Sequence, residues 1–277
     1  MENQPAVKQR VQKMISEIDS LVHERSKTAR KVHREALQIA LQYTLEPQEI
    51  DLLIRESVFA RLFDDNEEKE KEILDECERR SNAINYRDGV AQVIIRRAMD
   101  ANRDGDYKRL RKLSEQALAR AKGDNEYKAN ALVLNAAATT MEGELQTSMS
   151  SLEKALAIYK RLDNRLLIAN TYINLISLRR HLGDYENALE EGMKALEVLK
   201  PTRYFRLMAA ANDNIGSCYA YWGKFTQAIR YYRQALPLYR KSKSSPDVIR
   251  TRNNMASMNL KLNRVKTSGL SRGDFTI

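Results

Sequence analysis

The chain is predicted to be all-α, a right-handed α-solenoid of about six helix-turn-helix hairpins. Three observations carry this reading. One unit occurs twice between Ala169 and Lys241, first as ANTYINLISLRRHLGDYENALEEGMKALEVLKP and then as AANDNIGSCYAYWGKFTQAIRYYRQALPLYRK. At an offset of 40, Gly183 falls on Gly223, Tyr185 on Phe225, Ala188 on Ala228 and Ala195-Leu196 on Ala235-Leu236, and a fixed period of this size marks a helical repeat array. Apolar residues also recur at three-to-four spacing from residue 5 onward, as amphipathic helices require. Finally, the 277 residues include only 10 Gly and 5 Pro, against 43% hydrophobic and 30% charged residues. That is little turn chemistry for a β fold and a mix suited to long helices.

The elements follow in order. In residues 5–45, Val7, Val11, Met14, Ile15, Ile18, Leu21 and Val22 form one stripe; Ala29, Val32, Ala36, Leu37, Ala40 and Leu41 form a second. Ser26-Lys27-Thr28 is the break between them, with a hydroxyl able to cap the next helix. A sustained coiled coil is the alternative, but the alanines favour close packing against neighbours. Pro47 fits the first turn of the next helix, whose buried side is Ile50, Leu53, Ile54, Val58, Ala60, Leu62 and Phe63, closed by Asp64-Asp65-Asn66. The run EEKEKEILDECERR reads as a helix with a wide solvated face that buries Ile73, Leu74 and Cys77; an acidic docking strip is the other reading.

From residue 87 the period is legible. Gly105-Asp106-Tyr107 separates two helical patterns, and Gly143, Gly183 and Gly223 stand at intervals of 40. Asn263 continues the series, and Asn tolerates a left-handed turn. Small residues at 188, 195, 228 and 235 let paired helices approach, while Tyr185, Leu196, Phe225 and Leu236 fill the gap to the next pair. A single hairpin cannot bury its apolar faces alone, so several must stack. The last copy is incomplete: Val248–Leu262 matches a first helix, and RVKTSGLSRGDFTI makes no second one. The expected organisation is degenerate hairpins over 1–82, the repeat array over 83–262 and a loose tail over 263–277. The unfinished copy should leave an apolar face open to self-association or a partner.

These residues resemble the tetratricopeptide repeat. The best copy gives Asn212-x2-Ile215-Gly216-x2-Tyr219, Gly223, Phe225, Ala228-x3-Tyr232 and Ala235; the one before it gives Tyr172-x2-Leu175, Gly183, Tyr185, Ala188, Ala195 and Pro201. It departs at Ile176 and Arg179, and earlier copies place Ser148 and Leu110 where the alanine belongs. The resemblance covers residues 87–262 well and 5–82 only by helix rhythm. The longer period is similar to that of bacterial peptide-sensing receptors and activators, and of sensory halves fused to diguanylate cyclases or histidine kinases. In this family the first helix of each pair lines a concave groove. With Ala169, Ala209 and Ile249 as position one, position six holds Asn174, Asn214 and Asn254, and position nine holds Ser177, Ser217 and Ser257. Residues three apart share a helix face, so the groove should carry a ladder of Asn and Ser. An amide both donates to and accepts from a peptide backbone. Asn170, Arg180, His181, Tyr221, Arg250 and Lys261 lie nearby and would favour acidic groups or a terminal carboxylate. Against this stands the bland reading that Asn is frequent at position six and a small residue at position nine eases packing.

Catalytic motifs of strength are absent. His23, His33 and His181 lie in different helices without partners at metal spacing, Cys77 and Cys218 follow no motif, and there is no phosphate-binding loop, nucleophile elbow or kinase set. The tail SRGDFTI lacks the Glu of a cyclase signature and is read as chance. No cofactor or metal is expected. The start MENQPAVKQRVQKM has no apolar core like a signal peptide, and no run reaches membrane-span length, so a reduced, cytoplasmic chain is expected. Of the net charge of +10, residues 203–277 carry 14 basic and 3 acidic groups, a net of +11. This is a solvated face or a surface for an acidic partner; nucleic acid is the weaker use, since no recognised module accompanies it. The expected function is a non-enzymatic regulatory scaffold that binds a protein or peptide in its groove. The alternatives are the sensory part of a cyclase- or kinase-type signalling protein whose output domain lies outside this chain, and a nucleic-acid-binding regulator acting through the basic quarter.

Overall fold

The computed structural model describes residues 3–23, 28–121 and 123–267. Among them are thirteen helices and no strand. Two compact units divide at the turn before Gly143: Met1–Glu142 and Gly143–Ile277. Within the first unit the hairpins on either side of residue 82 pack directly on one another.

The first unit holds α1 (Gln4–His23), α2 (Ala29–Gln42), α3 (Glu46–Leu62), α4 (Glu67–Ala83), α5 (Arg87–Arg103), α6 (Tyr107–Arg120) and α7 (Glu126–Met141). The first helices α1, α3, α5 and α7 lie side by side; α2, α4 and α6 each pack against their own first helix and the next one. The stripe Val7, Val11, Ile15 and Ile18 is buried against Ala29, Ala36 and Ala40 of α2. α3 begins with Pro47 in its first turn. Asn66 caps α4 by accepting from the Lys69 N–H at 2.9 Å. α4 buries Leu74 and Cys77 as its pattern requires, and also Glu70, whose carboxylate lies 2.6 Å from the Arg96 guanidinium of α5.

The second unit holds α8 (Leu145–Arg161), α9 (Arg165–His181), α10 (Tyr185–Leu199), α11 (Phe205–Tyr221), α12 (Phe225–Lys241) and α13 (Ser245–Thr267). Each helix packs on the next in sequence, and α9 also packs on α11. Ala188, Ala195, Ala228 and Ala235 are fully buried. The closest approaches need glycine: a Cβ on Gly192 would stand 2.5 Å from Ile215, and one on Gly216 2.9 Å from the Tyr232 ring. The turn glycines answer to a different constraint. Gly183 and Gly223 have φ of +74° and +76° with nothing within 4 Å of a Cβ, so conformation and not space selects them.

Two expectations change. α13 runs unbroken through Asn263 to Thr267; Asn at a helix interior costs only a few tenths of a kcal/mol, too little to enforce a turn. Thr28 precedes α2 with helical φ and ψ and makes no side-chain cap bond, because that conformation points its hydroxyl away from the first-turn N–H groups. α13 does expose Ile249 and Leu260, at 59% and 64%. Ser26, Lys27 and residues 268–277, including SRGDFTI, lie outside the described residues. No helix is long and apolar enough to cross a membrane among the described residues.

Candidate ligand face

In the second unit the first helices of successive hairpins are α9, α11 and α13. Their length and phase come from the apolar sides that fix them. Ile173, Leu175, Ile176 and Leu178 bury one side of α9, Ala211, Ile215 and Cys218 one side of α11, and Met258 anchors α13. The polar positions between these anchors are left at the surface. Asn170, Asn174, Ser177 and Arg180 are half-buried on α9, Asn214 and Ser217 on α11, and Asn254 on α13; His181, Tyr221, Arg250, Ser257 and Lys261 are exposed.

The bonding divides this set. Asn170, Asn174 and Asn254 make no hydrogen bond to other described residues. Asn214 donates its amide to the Ala210 carbonyl of its own helix at 2.9 Å. Ser217 is 3.2 Å from the Tyr232 hydroxyl, and Ser177 accepts from Arg180 at 3.3 Å. The two serines are therefore partly engaged within the protein. Arg180 stacks its guanidinium 4.6 Å over the Tyr221 ring and has no carboxylate within ion-pairing distance among the described residues. Lys261 lies 5.7 Å from the Phe225 ring centre.

Arg250 differs. It donates to Asp213 at 3.2 Å and to the Tyr239 hydroxyl at 3.2 Å, and Asp247 is also 3.2 Å away. Its charge is already met, so it is poorly placed to receive a ligand carboxylate. Asp213 was invisible to the period, since it sits one residue from the ladder. It accepts from Thr251 at 2.8 Å, and burial pushes its carboxyl above the ordinary range, with Thr251 and Arg250 opposing. The spacing of 38 to Thr251 is the one signal that could have flagged it.

The first-helix face of the first unit carries a closed network instead. Arg55 donates to Asp19 at 3.0 and 2.8 Å and to Gln92 at 2.6 Å. Gln92 donates to the buried Asp51 at 2.6 Å, and Tyr86 donates to it at 2.9 Å. Burial raises the Asp51 carboxyl and outweighs Arg55. A cavity of about 130 Å³ lies beside it, between Arg55, Met99 and Tyr127.

The remaining reactive side chains are structural. His33 is buried with Nε2 2.9 Å from the Leu52 carbonyl, and burial lowers its pKa. Burial pushes the Cys77 thiol up to about 12 and the Cys218 thiol up to about 11, which disfavours thiolate chemistry. Among the described residues no cluster of three or more His, Cys, Asp or Glu is placed to hold a metal.

Residues 167–241, which span α9 to α12, match the tetratricopeptide-repeat family model. Over that stretch the chain carries tetratricopeptide repeats. Response regulator aspartate phosphatase I of Bacillus subtilis (strain 168) is 37% identical over 62 residues, 22% of this chain and 16% of that protein. Outer dynein arm-docking complex subunit 4 of Homo sapiens is 35% identical over 99 residues, 35% of this chain and 15% of that protein. These tetratricopeptide matches therefore span a small part of either relative. Among solved structures, a Rap protein complexed with competence and sporulation factor superposes with a TM-score of 0.64 at 16% identity, covering 94% of this chain and 73% of that one. At that identity the likeness is one of fold: a tetratricopeptide-type stack of helical hairpins.

Proposed function

We propose that the protein is a non-enzymatic, cytoplasmic scaffold of regulatory type that binds a peptide or protein segment along α9, α11 and α13. The observation that carries this is the set of unspent polar groups there. Among the described residues, Asn174 and Asn254 hold amides with no partner, in register with Asn214, beside a guanidinium at Arg180 that no carboxylate pairs with. An amide with both donor and acceptor free suits the backbone of an extended or helical segment, and Arg180 suits an acidic group or a terminal carboxylate on it. The likeness of fold to a Rap protein solved with a bound factor agrees with a binding role.

The test is a pull-down from the native cell with wild type and with Asn174, Asn214 and Asn254 all changed to Ala. Loss of the partner from a variant that melts like wild type supports the reading; capture of the same partners by both sinks it. Self-association through the exposed Ile249 and Leu260 of α13 belongs to the same reading, and sedimentation velocity over a range of concentrations checks it: a monomer throughout would remove it.

A further inference from the structure

A cavity of about 390 Å³ lies outside the ligand face, where the end of α4, the start of α5 and the end of α6 meet. A void of ~10–15 Å³ already suffices for one water, so there is room for a small molecule. Its polar lining is made of donors or of groups that can donate: Ser81, Asn82, Asn85, Arg87 and Arg120, with no carboxylate among the described residues that line it. Asp88 stands in the same first turn of α5 but does not line the cavity.

Three observations point to an anion there. Arg87 and Arg120 enter no ion pair among the described residues, whereas Arg55, Arg61, Arg80, Arg96 and Arg97 of the same unit are all paired. The N-terminus of α5, a helix of 17 residues, follows Tyr86 with no side-chain cap bond, so its first-turn N–H groups have no side-chain acceptor. Ser81 is fully buried and its hydroxyl has no partner. The equally buried Ser57 and Ser114 bond carbonyls one turn back, but the Ser81 hydroxyl turns instead toward the first turn of α5, where a Cβ on Gly89 would stand 2.4 Å from it. Arg120 alone would need no ligand, since a cation is favoured in the last turn of a helix. The uncapped turn and the orphaned hydroxyl are not explained that way.

We propose that this cleft binds a small phosphate-bearing molecule, up to mononucleotide size. The phosphate oxygens accept from the first turn of α5, as anions do at helix N-termini, and from the Arg87 and Arg120 guanidinium groups, whose fork geometry fits phosphate. Val90, Ala119 and the Tyr86 ring supply the apolar wall.

The experiment is isothermal titration of the full chain with inorganic phosphate and with AMP at fixed ionic strength, using chloride as the blank. Wild type should bind at least one of them saturably, with one site per chain. Arg87→Gln with Arg120→Gln should weaken it by at least ~10-fold, the scale of one lost charge-assisted hydrogen bond. Both arginines are exposed, so the double variant should melt like wild type. Ser81→Ala should weaken binding without lowering the melting temperature. Tighter AMP than phosphate assigns a mononucleotide, and equal affinity assigns the phosphate group alone. No saturable binding of either probe by folded wild type, or binding unchanged in the double variant, overturns the proposal. The Asn174, Asn214 and Asn254 changes should leave this titration unaltered, which keeps it separate from the ligand face.

Discussion

The first-helix faces of the two units use polar residues in opposite ways. In the first unit, Asp19, Asp51, Arg55, Gln92 and Tyr86 bond one another. In the second, Asn174 and Asn254 have no hydrogen-bond partner, and Arg180 no carboxylate partner, among the described residues. A buried charge must be matched inside the protein or it destabilises the fold; a half-buried neutral amide carries no such demand and can wait for a ligand. The first face therefore reads as a structural clamp, and the second is the one proposed to recognise a ligand.

The sharpest way to break this contrast is Arg55→Ala. It removes the partner of Asp19 and the positive charge nearest the buried Asp51, which keeps its bonds from Gln92 and Tyr86, and should cost about 3 kcal/mol, the upper end for losing hydrogen bonds to a charged group. Urea unfolding checks it. A loss no larger than that of an exposed arginine would mean that the first-unit network is not a clamp.

Next in size is Gly192→Val in the second unit. The new side chain meets Ile215 and should destabilise by about 1–3 kcal/mol through overpacking, read as a lowered melting temperature. An unchanged melt would show that α10 and α11 can part, loosening the frame that sets the ladder in register.

The triple change of Asn174, Asn214 and Asn254 to Ala should alter stability by no more than about 1 kcal/mol, because among the described residues only Asn214 of the three donates to protein, and to its own helix. A larger loss would move these residues to the structural side of the comparison.

The smallest expected effect concerns Asp213. Burial raises its folded pKa, so the folded state takes up the proton before the unfolded state does. Its stabilising effect grows as pH falls, and is absent above the folded pKa. Asn cannot titrate. Wild type should therefore gain stability relative to Asp213→Asn as pH drops from about 7 toward about 4. A flat difference in melting temperature across that range would contradict the assigned burial.

These contrasts were unevenly legible in the sequence. Helix period, turn glycines and the small residues between helices are local, so Gly183, Gly223, Ala188 and Ala228 announce the fold by themselves. The ladder was legible as positions, because three helices share one phase. Its bonding was not: whether Arg250 is free depends on Asp213, 37 residues away, and whether Arg180 is free depends on Tyr221. The first-unit clamp joins α1, α3 and α5 across 36 and 41 residues, with no repeat pattern to align them. Asn263 misled because a shared spacing does not supply the energetic reason for a turn.

The most direct test of the central claim places a photo-crosslinking residue at Ser257 on α13 and, separately, at Glu190 on the outer side of α10, both exposed, and irradiates in the native cell. A partner adduct at 257, absent at 190 and lost when Asn174, Asn214 and Asn254 are Ala, is the predicted result. An adduct at 190 alone, or one at 257 that survives the triple change, would contradict the claim that the α9–α11–α13 face recognises a ligand through its amides.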